Sequence, residues 1–118
     1  MNKKQANLAF HHSEKLKSNL FLLSAAIYIL TTLKAEKLEG GKDVTKGIIN
    51  ALRNELNMAN RYIEPTKTKA IEEELSVVEA EIETQDYARA REHLAQTFSK
   101  VTTVSNKHIK ILMDEALI

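Results

Sequence analysis

The sequence predicts an all-α protein: a four-helix, up-and-down antiparallel bundle with long first and fourth helices, forming a single domain over residues 1–118. Three observations carry that prediction. Glycine and proline number only three and one, and long runs rich in Lys, Glu, Leu and Ala separate them. Four stretches repeat apolar residues at spacings of three and four, the period of one helix face. Short turn-forming segments lie between these stretches, and short connections favour antiparallel neighbours. The β-branched cluster Val101-Thr102-Thr103-Val104 stands alone inside a helical pattern and does not indicate a strand.

The first helix is expected over residues 5–37. Its upper part, NLFLLSAAIYILTTL over residues 19–33, carries no charge. Leu20, Leu23, Ile27 and Leu30 share one face, and Phe21, Leu22, Ala25, Ala26, Ile29 and Leu33 fill most of the remaining circumference. A helix that is apolar nearly all round is expected to be covered on several sides, so this segment reads as the central staff of the bundle. Its lower part is amphipathic, with Leu8, His12 and Leu16 recurring on one side. Gly40-Gly41 is expected to end the helix, because glycine adopts the left-handed geometry of a C-cap without a Cβ clash.

Asp43 is then placed to cap the second helix. Val44, Ile48, Leu52, Leu56, Ala59 and Ile63 form its apolar stripe, broadened by Ile49 and Met58. The Glu64-Pro65 step marks the next boundary, since proline disfavours helix at the preceding residue yet fits the first turn of a new one. The third helix is expected over residues 66–84. Ile71, Leu75, Val78 and Ile82 give it a single narrow seam among glutamates, so it should lie outermost. Asp86 can cap the fourth helix, in which Leu94, Phe98, Val101, Ser105, His108 and Leu112 keep the spacing. Its stretch DYARAREHLAQ is similar to one helix of a tetratricopeptide unit, and no second unit follows.

Length sets up an interface expectation. The outer pair of helices, at about 32 residues, would span roughly 48 Å, and the inner pair, at about 20 residues, roughly 30 Å. The lower ends of the long helices would then protrude as a two-helix arm, residues 5–18 against residues 106–118. That arm carries apolar residues, and an exposed apolar patch usually marks an interface. The expected contact residues are Leu8, Leu16, Leu20, Ile109, Leu112, Met113 and Leu117, burying the arm against a second copy in a homodimer or against a protein partner.

Several chemistries are not indicated. The chain has no cysteine, which excludes disulfides, thiol nucleophiles and thiolate metal sites, and fits a cytoplasmic, reducing setting. The uncharged span between Lys17 and Lys34 covers roughly 24 Å, short of about 30 Å of bilayer hydrocarbon. No membrane association is expected, and no secretory signal pattern opens the chain. Gly40-Gly41-Lys42 lacks the spacing of a phosphate loop, and nothing supplies the elbow serine of a hydrolase. Charge is uneven: residues 64–86 hold eight acids against Lys67 and Lys69, a net of −6, so the remainder nets +7 within an overall +1. Arg53, Arg61, Arg89, Arg91 and the early lysines could form a basic patch, which makes a nucleic-acid-associated regulatory protein the alternative reading. A pI near 8.0 and the lack of an arginine cluster count against nucleic acid as a partner.

His12 and His108 fall at a similar height in the antiparallel arrangement, with Glu14 and Asp114 near in sequence, so a His/carboxylate site is conceivable. No His-x₃-His or Glu-x-x-His pattern accompanies them, and the expectation is no metal and no cofactor. The stretch HHSEKLKSNLFLLSAA resembles the dimerisation-and-phosphotransfer helix of sensor kinases. That resemblance implies a second alternative, a histidine phosphotransfer module using His12. The spacing from His12 to Lys17-Ser18-Asn19 departs from the family's pattern, and no ATP-binding domain pattern follows. The favoured expectation is a non-catalytic interaction or adaptor protein.

Overall fold

Asn2 opens the first helix, α1 (Lys3–Leu30), with a capping box: its side chain accepts the Gln5 backbone N–H at 2.8 Å, and the Gln5 side chain accepts the Asn2 N–H. The other elements are α2 (Ala35–Ala59), α3 (Pro65–Glu83) and α4 (Tyr87–Ala116). The structure is a computed structural model and describes residues 2–116. Its helices pack in chain order, α1 against both α2 and α4, and α3 against α2 and α4. This is the up-and-down bundle expected, 58 × 20 × 18 Å in extent. No strand occurs among the described residues.

The first connection differs from expectation. Helix α1 stops at Leu30, ten residues before the paired glycines, and Gly40, Gly41 and Asp43 lie inside α2. Threonine side chains account for the early stop. The hydroxyl of Thr31 donates to the Tyr28 carbonyl at 2.6 Å, and that of Thr32 to the Ile29 carbonyl at 2.7 Å. The backbone tightens at the same point, with Thr32 N–H on Ile29 and Leu33 N–H on Leu30. Side-chain hydroxyls thus take up carbonyls that a continuing helix would have used. Ala35 then takes φ 54°. Gly41 serves close packing instead of a turn: a Cβ there would lie 2.8 Å from Leu33 Cδ1 and 2.9 Å from Leu30 Cδ2.

The remaining boundaries follow the sequence. Pro65 begins α3 after an extended Glu64. Helix α3 ends with Gln85 at φ 61° and the Asp86 N–H returning to the Glu81 carbonyl at 2.8 Å, a Schellman-type closure without glycine. Asp86 accepts the Arg89 N–H and caps α4.

The core is one cluster running the length of the bundle. Helix α1 supplies Leu16, Leu20, Leu23, Ile27 and Leu30, and α3 supplies Ile71, Leu75, Val78 and Ile82. The seam of α2 holds as expected over Leu52, Leu56 and Ala59 and shifts at its start, where Thr45 and Ile49 face inward and Val44 is exposed; Met58 is exposed as well. Thr45 is tolerated there because its hydroxyl is satisfied by the Gly41 carbonyl at 2.8 Å.

Because α2 begins earlier than expected, it also covers more of the long helices. Glu55 reaches His12 and Lys15, and Tyr62 stacks on the His12 ring. Ala6, Ala9, Ser13 and His108 are all buried, and Lys107 pairs with Glu64 at the start of α3. The protruding arm expected from helix lengths is therefore reduced to the extreme ends of α1 and α4.

Candidate interaction face

Helix α1 buries one seam and exposes another. On a wheel of 100° per residue, Leu16, Leu20, Leu23, Ile27 and Leu30 form the inner seam. Ala25 centres the opposite side, with Phe21 and Tyr28 flanking it to one hand and Leu22 and Ile29 to the other. The outer residues are left in solvent: Phe21 is 65% exposed, Leu22 56%, Tyr28 56% and Ile29 54%. The expectation that this staff is covered on several sides, as the centre of the bundle, holds only for its inner half. It is a corner helix, and its neighbours α2 and α4 reach only its inner half.

The aromatic hand of this face leans on α4. The Phe21 ring tilts against Phe98 with centroids 4.7 Å apart, and the Arg91 guanidinium lies 5.4 Å from the centre of the Tyr28 ring. Between them runs a shallow groove of about 510 Å³, lined chiefly by Leu20, Phe21, Ser24, Leu94, Ala95 and Phe98. No acidic or basic residue of α1 enters the face, since the helix is uncharged beyond Lys17. What borders it from α4 is the pair Arg91 and Glu92, one of each sign.

The contact residues read from sequence are distributed differently. Leu16 and Leu20 are buried in the bundle's own core because they lie on the inner seam, and of the two only Leu20 reaches the floor of the groove. Leu8, Ile109 and Leu112 are half-buried, and Met113 is exposed. Leu117 lies outside the described residues. The exposed four of α1 were legible as apolar but not as outward-facing. The signal that marks them is their register: they sit on the far side of α1 from its buried seam.

The histidines are placed separately. His12 shares a 2.6 Å hydrogen bond between its Nδ1 and Glu55 Oε1, with its ring stacked on Tyr62 at 5.3 Å and 11°. His108 is buried and binds the Val104 carbonyl of its own helix through Nδ1 at 2.8 Å. Among the described residues no group of three or more His, Asp or Glu could hold a metal ion. Glu14 turns to Lys17 and to the Ser105 hydroxyl, and the Lys17 ammonium, helped by Ser105, holds its carboxyl below the ordinary range against the opposing effect of burial. Two of the arginines considered for nucleic acid are engaged. Arg53 donates to Glu72, Glu79 and Ser76 of α3, and Arg91 covers Tyr28. Acidic α3 is thus tied into the bundle by Arg53, by Lys46 on Glu83 and by Lys100 on Glu74.

Among the described residues no helix is long and apolar enough to cross a membrane. No protein-family model, no curated protein and no solved structure matches the chain. A functional reading therefore rests on the surface itself.

Proposed function

We propose that this chain is a non-catalytic helical-bundle interaction protein, acting through the outer apolar face of α1 rather than through the ends of its long helices. One observation supports this above the rest: Phe21, Leu22, Tyr28 and Ile29 stand together, each more than half exposed, on an uncharged stretch of one helix. Scattered exposed leucines need no explanation, but a contiguous apolar patch rimmed by polar residues marks a contact surface. Burial of such surface contributes about 25 cal/mol per Å² before the costs of association are subtracted. The cysteine-free composition fits a cytoplasmic setting for such a protein.

The test is the double substitution Leu22→Glu with Ile29→Glu. Both side chains are exposed, so the fold should lose no more than about 0.5–1 kcal/mol. Assembly, whether with itself or with another protein, should be lost. Sedimentation across a dilution series, beside recovery of bound protein from cell extract, reads the result. If the double variant keeps the wild-type mass and the wild-type bound proteins, this face is not the functional surface.

A further inference from the structure

The face is self-complementary, and we propose that its occupant is a second copy of the same chain, packed antiparallel about a two-fold axis at Ala25. This rests on the reading of the face given above and names the partner. The arrangement of residues points to it. Phe21 and Tyr28 lie on the α4 side of Ala25, four residues before it and three after, while Leu22 and Ile29 lie on the other side, three before and four after. A two-fold axis perpendicular to the two helices keeps each hand of the face on its own side and reverses its direction. Phe21 then lies beside the partner's Tyr28, and Leu22 beside the partner's Ile29, each contact occurring twice. Aromatic meets aromatic and aliphatic meets aliphatic, as an isologous interface requires. Ala25, the smallest side chain of the face, sits where the axes come closest and permits a separation of about 9–10 Å.

Area and charge agree with this occupant. The four large side chains leave on the order of 400 Å² exposed, in the range where a surface patch is often functional. Ser18 and Ala25 extend the face along α1, and Ala88, Arg91 and Ala95 extend it across α4, all five of them exposed. A stable complex typically buries about 800 Å² per partner, so the dimer covers these residues as well as the four large ones. With no charge of α1 on the face between Lys17 and Lys34, the helices bring no like charges together at their centre. The rim pair Arg91 and Glu92 sums to zero on each copy.

The lack of any cysteine makes the geometry directly testable. Ala25→Cys places one thiol per chain at the axis, within the about 4.4–6.8 Å Cα separation that a disulfide needs. Ser18→Cys lies on the same face seven residues away, so in antiparallel packing its two copies stand about 21 Å apart. Under oxidised glutathione, which accepts the electrons as two thiols join, Ala25→Cys should become mostly covalent dimer. Ser18→Cys should do so about tenfold less. The wild type should sediment as a dimer that Leu22→Glu with Ile29→Glu dissociates.

Three outcomes would overturn the proposal. The first is a wild-type monomer at every concentration; if the Glu variants then lose a captured protein, the interaction face stands but its occupant is a different protein. A dimer in which Ala25→Cys fails to cross-link places the interface elsewhere. Equal cross-linking at both positions means parallel packing.

Discussion

The two faces of upper α1 are built from the same residue types and have opposite fates. Leu23, Ile27 and Leu30 are sealed against α2 and α4, whereas Leu22, Ile29 and Phe21, interleaved with them in sequence, look into solvent. Hydropathy cannot separate the two sets, because transfer of an isoleucine out of water is favourable whichever way it points. What separates them is the supply of neighbours. In a ring of four helices each member touches two others, so a helix apolar all round has one side that its own fold cannot cover. The lower half of α1 shows the satisfied alternative. There the surface beside the seam is polar and clipped, His12 to Glu55 and Glu14 to Ser105.

The sharpest way to break that contrast is to truncate one residue from each face. Leu23→Ala, at a fully buried position, should destabilise the fold by about 2–5 kcal/mol through lost transfer energy and the cavity left behind. Ile29→Ala should change it by less than about 0.5–1 kcal/mol when measured by urea unfolding in dilute solution. Repeating the titration at high protein concentration sharpens the comparison. A partner that binds only the folded chain raises apparent stability by mass action, so the Ile29→Ala deficit should grow with concentration while that of Leu23→Ala stays fixed. Equal costs at low concentration would mean that the outer face is part of the core.

A smaller effect of opposite sign is expected at two adjacent glycines. Gly40 has nothing within 4 Å of an added Cβ, so Gly40→Ala should stabilise α2 by about 0.5–1 kcal/mol. At Gly41 the same methyl meets Leu30 and Leu33, which close the top of the inner seam. The contacts are leucine ends that can give, so Gly41→Ala should destabilise by about 1 kcal/mol, the low end of overpacking. Thermal melts of the two variants should move in opposite directions. If both rise, the inner seam is looser at its upper end than its burial suggests.

These glycines also mark where the sequence misleads. Periodicity located the inner seam of α1 and all four seam residues of α3, because a core stripe leaves a period that survives without neighbours. Pro65 and Asp86 located two helix starts for a similarly local reason. Gly40-Gly41 misplaced the first turn because glycine serves both left-handed turns and close approach, and only tertiary packing says which. The threonines that end α1 gave the weaker local signal, yet their hydroxyl bonds prevailed. That error lengthened α1, shortened α2, and moved the expected interface to an arm whose α1 half α2 in part covers. The outer face was visible as apolar in every residue. Its orientation depended on knowing that none of the other described helices covers it.

The smallest expected effect concerns the clipped lower half. Glu14 has its carboxyl lowered chiefly by the Lys17 hydrogen bond, with Ser105 of α4 adding to it and burial opposing. A carboxyl whose pKa is lower folded than unfolded binds fewer protons in the native state. Its contribution is therefore complete above the ordinary carboxylate range and is lost as pH falls through the lowered folded value. Glu14→Gln should thus reduce stability at neutral pH by no more than about 0.5 kcal/mol, since the side chain is substantially exposed and solvent screens the pair. The gap between wild type and variant should close once pH has fallen through the lowered folded value, where both chains carry a neutral side chain. Urea midpoints at pH 7 and along an acid series read the difference. A gap that persists in acid would mean that Glu14 acts by packing. The clip between α1 and α4 would then be apolar in nature, and the contrast between the polar lower half and the bare upper half of the helix would lose its electrostatic basis.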